Sequence, residues 1–179
     1  PSTQSLYTPA MKLIDKVYLW YFIIHIPITI LIDSSIVIPK HYQLSITKSI
    51  LEFHISTNND ILLAYPQTWF KIFGFIELIF QLPLFFYFIY KLLSSNRRVL
   101  DVNYYLWSII YGFNAGFTTF VCLIWLIIEY KNFQLLDLQL INLLAIYIPY
   151  LLLPLILLIH SFKQIQQYNN NNHNKLKQQ

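Results

Sequence analysis

WFKIFGFIELIFQLPLFFYFIYKLL, residues 69–93, is a near-continuous apolar run. At about 1.5 Å per residue it is long enough to cross a hydrocarbon core of about 30 Å with some tilt, which predicts a transmembrane helix. Inside it stand Glu77, then Gln81 one helical turn later on the same face, then Pro83. A carboxyl group about two turns into hydrocarbon is costly, so it marks a candidate functional site whose partner has to be found. The partner expected here is Asp33, at the end of the preceding apolar run.

The rest of the chain agrees with a membrane setting. Of 179 residues, 56% are hydrophobic and only 11% charged, more apolar surface than a soluble domain of this size covers with so few charges. The single cysteine, Cys122, excludes an intrachain disulfide and any CxxC metal or redox motif. The net charge of +4 lies mostly outside the apolar runs and reads as topology information, not as a nucleic-acid footprint. No metal or cofactor is expected.

Residues 1–10 are polar and precede the only methionine, Met11, so they are set apart from the fold as a leader remnant or upstream extension. The first transmembrane helix is expected over about 13–38, with His25 and Pro27 inside it and Pro39 closing it. Residues 39–68 form the one long loop. Leu44, Ile50, Leu51, Phe53 and Ile55 suggest a short amphipathic helix there, 58–60 (NND) a turn, and 61–65 a second short helix. Helix 2 spans 69–93 and a short basic loop follows. Helix 3 spans about 102–128, where Gly112, Ala115 and Gly116 make a small-residue patch for close helix approach. Helix 4 spans about 138–162 and contains Pro149 and Pro154, which predict a kink. The Gln/Asn-rich residues 164–179 are expected to be a disordered tail. The expected fold class is all-α, a polytopic four-transmembrane-helix bundle with its membrane domain at 11–163.

Four helices place both termini on one side. That side and the helix 2–3 loop carry Lys12, Lys16, Lys91, Arg97, Arg98, Lys163, Lys175 and Lys177, whereas the other side carries Lys40, Lys48, Lys71 and Lys131. The positive-inside rule then predicts cytosolic termini and a luminal long loop. The ending KLKQQ, with Lys175 and Lys177, resembles a KxKxx signal for retrieval to the endoplasmic reticulum, which coat proteins read from the cytosol.

Asp33 and Glu77, about 12 Å into helix 2 by the helical rise, both fall in the luminal half of the bundle. If they meet, two acids in a low-dielectric pocket cannot both ionise cheaply, and the pair suits a cation or a hydroxyl donor. The structural alternative is an interfacial helix-end acid and a protonated acid tying two helices together. Gln81 either extends the polar face deeper or orients a ligand, or only bonds a carbonyl freed by a proline. His25 either shuttles protons or pairs with Glu77, or is a packing residue. Tyr147 and Tyr150, flanking Pro149, either line a cavity or belong to the packing and aromatic belts.

The segments 21–33 (YFIIHIPITILID), 66–86 (PQTWFKIFGFIELIFQLPLFF) and 147–159 (YIPYLLLPLILLI) closely resemble the sigma-2 receptor (transmembrane protein 97) family. This is a branch of the EXPERA-domain proteins, which also include sterol isomerases. The segments occur in matching order and cover three of the four helices; the long loop and helix 3 match more loosely. The resemblance implies an endoplasmic-reticulum protein, usually a homodimer, with a lipid-accessible cavity for sterols and cationic amphiphiles. The family's pocket acids fall on Asp33 and Glu77, its glutamine on Gln81 and, more loosely, its helix-3 threonine on Thr118. The Asn/Gln-rich ending looks like that of a fungal or protist member.

Three functions follow as expectations. The first is a non-catalytic protein binding sterols or other membrane lipids, in lipid homeostasis. The second, by resemblance to fungal relatives, is a factor for targeting or retrieving mitochondrial precursor proteins at the endoplasmic-reticulum surface. The third is a sterol double-bond isomerase, with Glu77 as acid and Asp33 as base or carbocation stabiliser; helix 3 offers no second glutamate to complete an isomerase-like set.

Overall fold

The computed structural model describes residues 11–94 and 100–177. The expected leader 1–10, and Arg97 and Arg98 of the basic loop, lie outside the described residues. Four helices are long and apolar enough to span a bilayer: α1 (Leu13–Val37), α4 (Thr68–Leu93), α5 (Val102–Glu129) and α6 (Asp137–Lys177). Two short helices, α2 (Ser45–Asn58) and α3 (Ile61–Ala64), fill the long connection and roof one end of the bundle. Among the described residues there is no strand.

The ends of these helices follow from local chemistry. Ile38 turns extended (φ −77°, ψ 123°) because Pro39 disfavours a helical residue before it. Asn59 adopts the left-handed conformation (φ 55°) that stops α2, and Asp60 then caps α3 by accepting from the Leu62 and Leu63 N–H groups. Asp101 likewise caps α5 through the Tyr104 N–H. One expectation needs correction. The last helix does not end near 162 with a disordered tail; its backbone stays helical to Lys177. No proline or glycine follows Pro154, so nothing breaks the ladder of the span, and it carries on past the apolar segment even through 169–174 (NNNNHN), where propensity is poor.

Apolar side chains face outward as well as inward. On α5, Ile110, Phe113, Phe117, Phe120, Ile124 and Ile127 are all exposed at three- and four-residue spacing, one continuous stripe. A stripe of that length is at home against lipid, and it is the all-round apolarity that the composition predicted.

Two dry clusters hold the bundle together. Near the end where the termini lie, Tyr18, Phe22, Phe85, Phe88, Tyr104 and Tyr111 are buried together. Phe22 stacks on Phe88 at 4.9 Å and on Phe85 at 5.6 Å between centroids. At the roof end, Ile36, Phe70, Leu126 and Leu143 pack beneath Ile61, Leu62 and Leu63 of α3. The small patch on α5 is used within the chain: a Cβ at Gly112 would stand 2.5 Å from the Pro154 carbonyl oxygen of α6, and one at Gly116 2.7 Å from Leu155 Cδ2. Of the apolar residues expected to make α2 amphipathic, Leu51 and Ile55 pack on the roof cluster, while Leu44 and Phe53 are exposed. Between the two clusters lies the polar layer.

Candidate ligand-binding site

Prolines set up the polar layer. Pro83 cannot donate a backbone N–H to Ile79, so the ladder is open inside the wide turn before it, whereas Pro27 frees the Ile23 carbonyl and stands two residues ahead of the other wide turn. Next to each, the helix widens into one π-turn: Thr29–Asp33 in α1, closed by the Ser34 N–H on the Thr29 carbonyl, and Glu77–Gln81 in α4, closed by the Leu82 N–H on the Glu77 carbonyl. Such single wide turns re-aim side chains and recur at functional sites. Here they carry both acids, and they face each other across the bundle.

Asp33 and Glu77 come together, and His25 joins them. One side-chain N or O atom from each of the three lies within 4.8 Å of the others. Thr29 Oγ1 donates to Glu77 Oε1 at 2.9 Å, and His25 Nε2 is 3.4 Å from the same oxygen. Among the described residues, neither acid is paired with a lysine or arginine. The His25 ring lies flat on Phe85 at 4.8 Å, with Tyr21 and Tyr150 edge-on at 5.2 and 5.1 Å. Gln81, nearly fully buried, donates to Asn114 Oδ1 at 2.9 Å, not to a carbonyl freed by a proline. Thr118 donates back to the carbonyls of Asn114 and Ala115 in its own helix.

A second knot lies under the roof. Asp60 is fully buried and takes four donors or contacts: the two capped N–H groups, Tyr147 OH at 2.9 Å, and His54 Nε2 at 3.2 Å. Tyr147 thus ties α6 to the roof. A cavity of about 130 Å³ runs between the two knots, lined by His25, Asp33, Glu77, Gln81, Thr118, Tyr147 and Tyr150 and, from the roof, His54 and Leu63. All of the side chains singled out in the helices line this one space. A larger groove of about 730 Å³ lies beside it on the outer face between α1 and α6. Tyr21, His25, Ile28, Ile146 and Tyr150 border both spaces.

Three contributors were not singled out from the sequence. Thr29 stands midway between His25 and Asp33 at four-residue spacing, so the face it shares with them was readable. Asn114 is an amide in the middle of an apolar span, the kind of residue that needs a partner there. Asp60 reads locally as a turn residue, and nothing in the sequence shows that the turn folds inward onto Tyr147.

Four antiparallel membrane-length helices around a doubly acidic internal cavity define a polytopic helical membrane protein with an intramembrane site. The chain belongs to the EXPERA family, the expanded EBP superfamily, whose pattern it matches over residues 46–161, and fits a fungal member of the sigma-2 receptor branch. It is 40% identical over 149 residues to the efficient mitochondria targeting-associated protein 19 of Saccharomyces cerevisiae, covering 79% of this chain and 92% of that protein. It is 33% identical over 147 residues to the human sigma intracellular receptor 2, covering 78% and 81%. A second targeting-associated protein 19, from Schizosaccharomyces pombe, is 29% identical over 141 residues, covering 79% and 70%.

Proposed function

We propose that the protein binds sterols and cationic amphiphiles in this cavity, as a non-catalytic protein of the endoplasmic-reticulum membrane with cytosolic termini. The observation that carries the reading is the Asp33–Glu77 pair, with no lysine or arginine beside it among the described residues, in a cavity that shares Tyr21, His25, Ile28, Ile146 and Tyr150 with an outer groove. Two carboxyls in low dielectric demand a positive partner, and a ligand ammonium or a hydroxyl donor meets that demand. About 130 Å³ is too small for a whole ligand of drug or sterol size, which needs roughly 300 Å³ or more. The polar head therefore occupies the cavity and the ring system lies along the groove past Tyr150 and Ile146. Apolar burial there supplies most of the affinity, at ~25 cal/mol per Å² before the costs of binding. A homodimer and coat recognition of Lys175 and Lys177 belong to the same proposal, on the resemblance alone; the small patch on α5 lends the dimer no support, since α6 covers it.

The test is binding of a labelled cationic amphiphile and of a hydroxysterol to purified wild type, Asp33→Asn and Glu77→Gln. Amine binding by wild type that is lost in either variant supports the pocket. Binding indifferent to both acids refutes it.

A second reading is favoured by the names of the two fungal relatives: a factor in mitochondrial targeting of precursor proteins. It predicts that neutralising the basic residues 91–98 harms precursor rescue more than Glu77→Gln does. The isomerase reading needs an acid, a base and stabilisation of the carbocation between them; Asp33 and Glu77 are its acid and base candidates, side by side within 4.8 Å. Accumulation of one sterol precursor in a deletion strain would establish it over the binder.

A further inference from the structure

The polar layer holds an irregularity that the ligand reading does not use. His25 is about nine-tenths buried, yet neither of its ring nitrogens makes a hydrogen bond of ordinary length. Nδ1 is buried without a partner among the described residues, and Nε2 stands 3.4 Å from Glu77 Oε1, beyond the usual 2.7–3.2 Å for N–H···O. Buried polar groups are hydrogen-bonded as a rule; a bound ion would answer for Nε2, the nitrogen that faces Glu77, and an ordered water for Nδ1 on the other side of the ring.

The surroundings favour an ion. A zinc-class cation bonded at about 2.0–2.1 Å in a tetrahedron sets its ligand atoms roughly 3.4 Å apart. His25 Nε2 and Glu77 Oε1 already have that separation, and one ligand atom from each of His25, Asp33 and Glu77 lies within 4.8 Å of the other two. One imidazole and two carboxylates are a borderline-to-hard donor set with a charge of −2, which a divalent ion balances in low dielectric. Thr29, donating to Glu77 Oε1, is the outer hydrogen bond that fixes a ligating carboxylate. The adjoining cavity has room for the water that completes four-coordination.

We infer that His25, Asp33 and Glu77 form an intramembrane binding site for one zinc-class divalent cation. The site shares its side chains with the proposed ligand cavity but goes beyond it, since ion and ligand ammonium exclude each other there.

The experiment is Zn²⁺ titration of the purified full-length protein in detergent by calorimetry, with X-ray absorption of the loaded protein. One Zn²⁺ per chain is expected, displaced by a saturating cationic amphiphile, lost in His25→Gln and Asp33→Asn, and weakened about tenfold or more in Thr29→Val. The absorption spectrum, which needs no variant to fold, should show one imidazole among oxygen ligands. A sulfur neighbour, which would place the ion on Cys122, overturns the inference; so does uptake unchanged in His25→Gln, or no uptake at all. Amine binding without zinc uptake sinks the metal site and leaves the ligand reading standing. Zinc uptake without amine or sterol binding does the reverse.

Discussion

Replacing Asp60 by alanine should loosen the roof more than any other single substitution in the loop. The carboxylate accepts the Leu62 and Leu63 N–H groups that start α3, the Tyr147 hydroxyl from α6, and a contact from His54 of α2. Losing the cap costs about 1 kcal/mol, and stranding the buried Tyr147 hydroxyl about 1–3 kcal/mol more. The sum, about 2–4 kcal/mol, corresponds to a fall in Tm on the order of 5–15 °C for a chain of this size. Asp60→Asn keeps an oxygen for the cap and should lose about half as much. Tyr147→Phe removes one donor from an acid that keeps three other partners, and should cost about 1 kcal/mol. Thermal unfolding of the detergent-solubilised protein by intrinsic fluorescence ranks the three variants. If Asp60→Ala is no worse than Tyr147→Phe, or Asn is as damaging as Ala, the roof is not held by this carboxylate and the reasoning fails. Because His54 and Tyr147 line the cavity, ligand affinity should fall in the same order.

Three other outcomes are expected. Gly112→Ala drives a Cβ against the Pro154 carbonyl and Leu158, so α5 and α6 must separate; a loss of about 1–3 kcal/mol should appear as a lower Tm. Ile146→Trp at the border of groove and cavity should block entry of a bulky amphiphile while leaving Zn²⁺ uptake intact, read by the two binding titrations. The Asp101 carboxyl is held below its usual range chiefly by its hydrogen bond from Lys91, which lies 2.6 Å away. Its folded-state pKa is depressed, so its contribution is present above the ordinary carboxylate pKa and disappears as pH falls through the lowered value. Being exposed it is worth under about 1 kcal/mol, so the Tm difference between wild type and Asp101→Asn should shrink below about pH 4.

What could be read from the chain was set by interactions that are local or imposed by the solvent. Membrane spans are legible because the bilayer demands a fixed length of apolar residues, and the acids in them because charge in hydrocarbon is rare. The spacing of His25 and Asp33, and of Glu77 and Gln81, put the right faces forward. The partnerships across helices were not legible. Nothing in the sequence says that Gln81 meets Asn114, that Tyr147 meets Asp60, or that Thr118 turns its hydroxyl back on its own helix. The helical continuation to Lys177 was missed for another reason: a polar composition argues against a core, but not against a helix already nucleated by a membrane span.

The two π-turns also divide each helix into halves that obey different registers. A π-turn adds one residue to an otherwise regular helix, and one residue corresponds to a rotation of about 100°. In α1 the face with Tyr18 and Phe22 serves the aromatic cluster, while the face with Ile36, set after the wide turn, serves the aliphatic one. In α4 the same division falls between Phe70 and Leu84 or Phe85. Deleting one residue from either turn would therefore do more than remove an acid. It would rotate every side chain on one side of the deletion out of its cluster. The polar layer is thus a phase boundary between two separately packed cores, and substitutions in one core need not be matched in the other so long as the boundary keeps its extra residue.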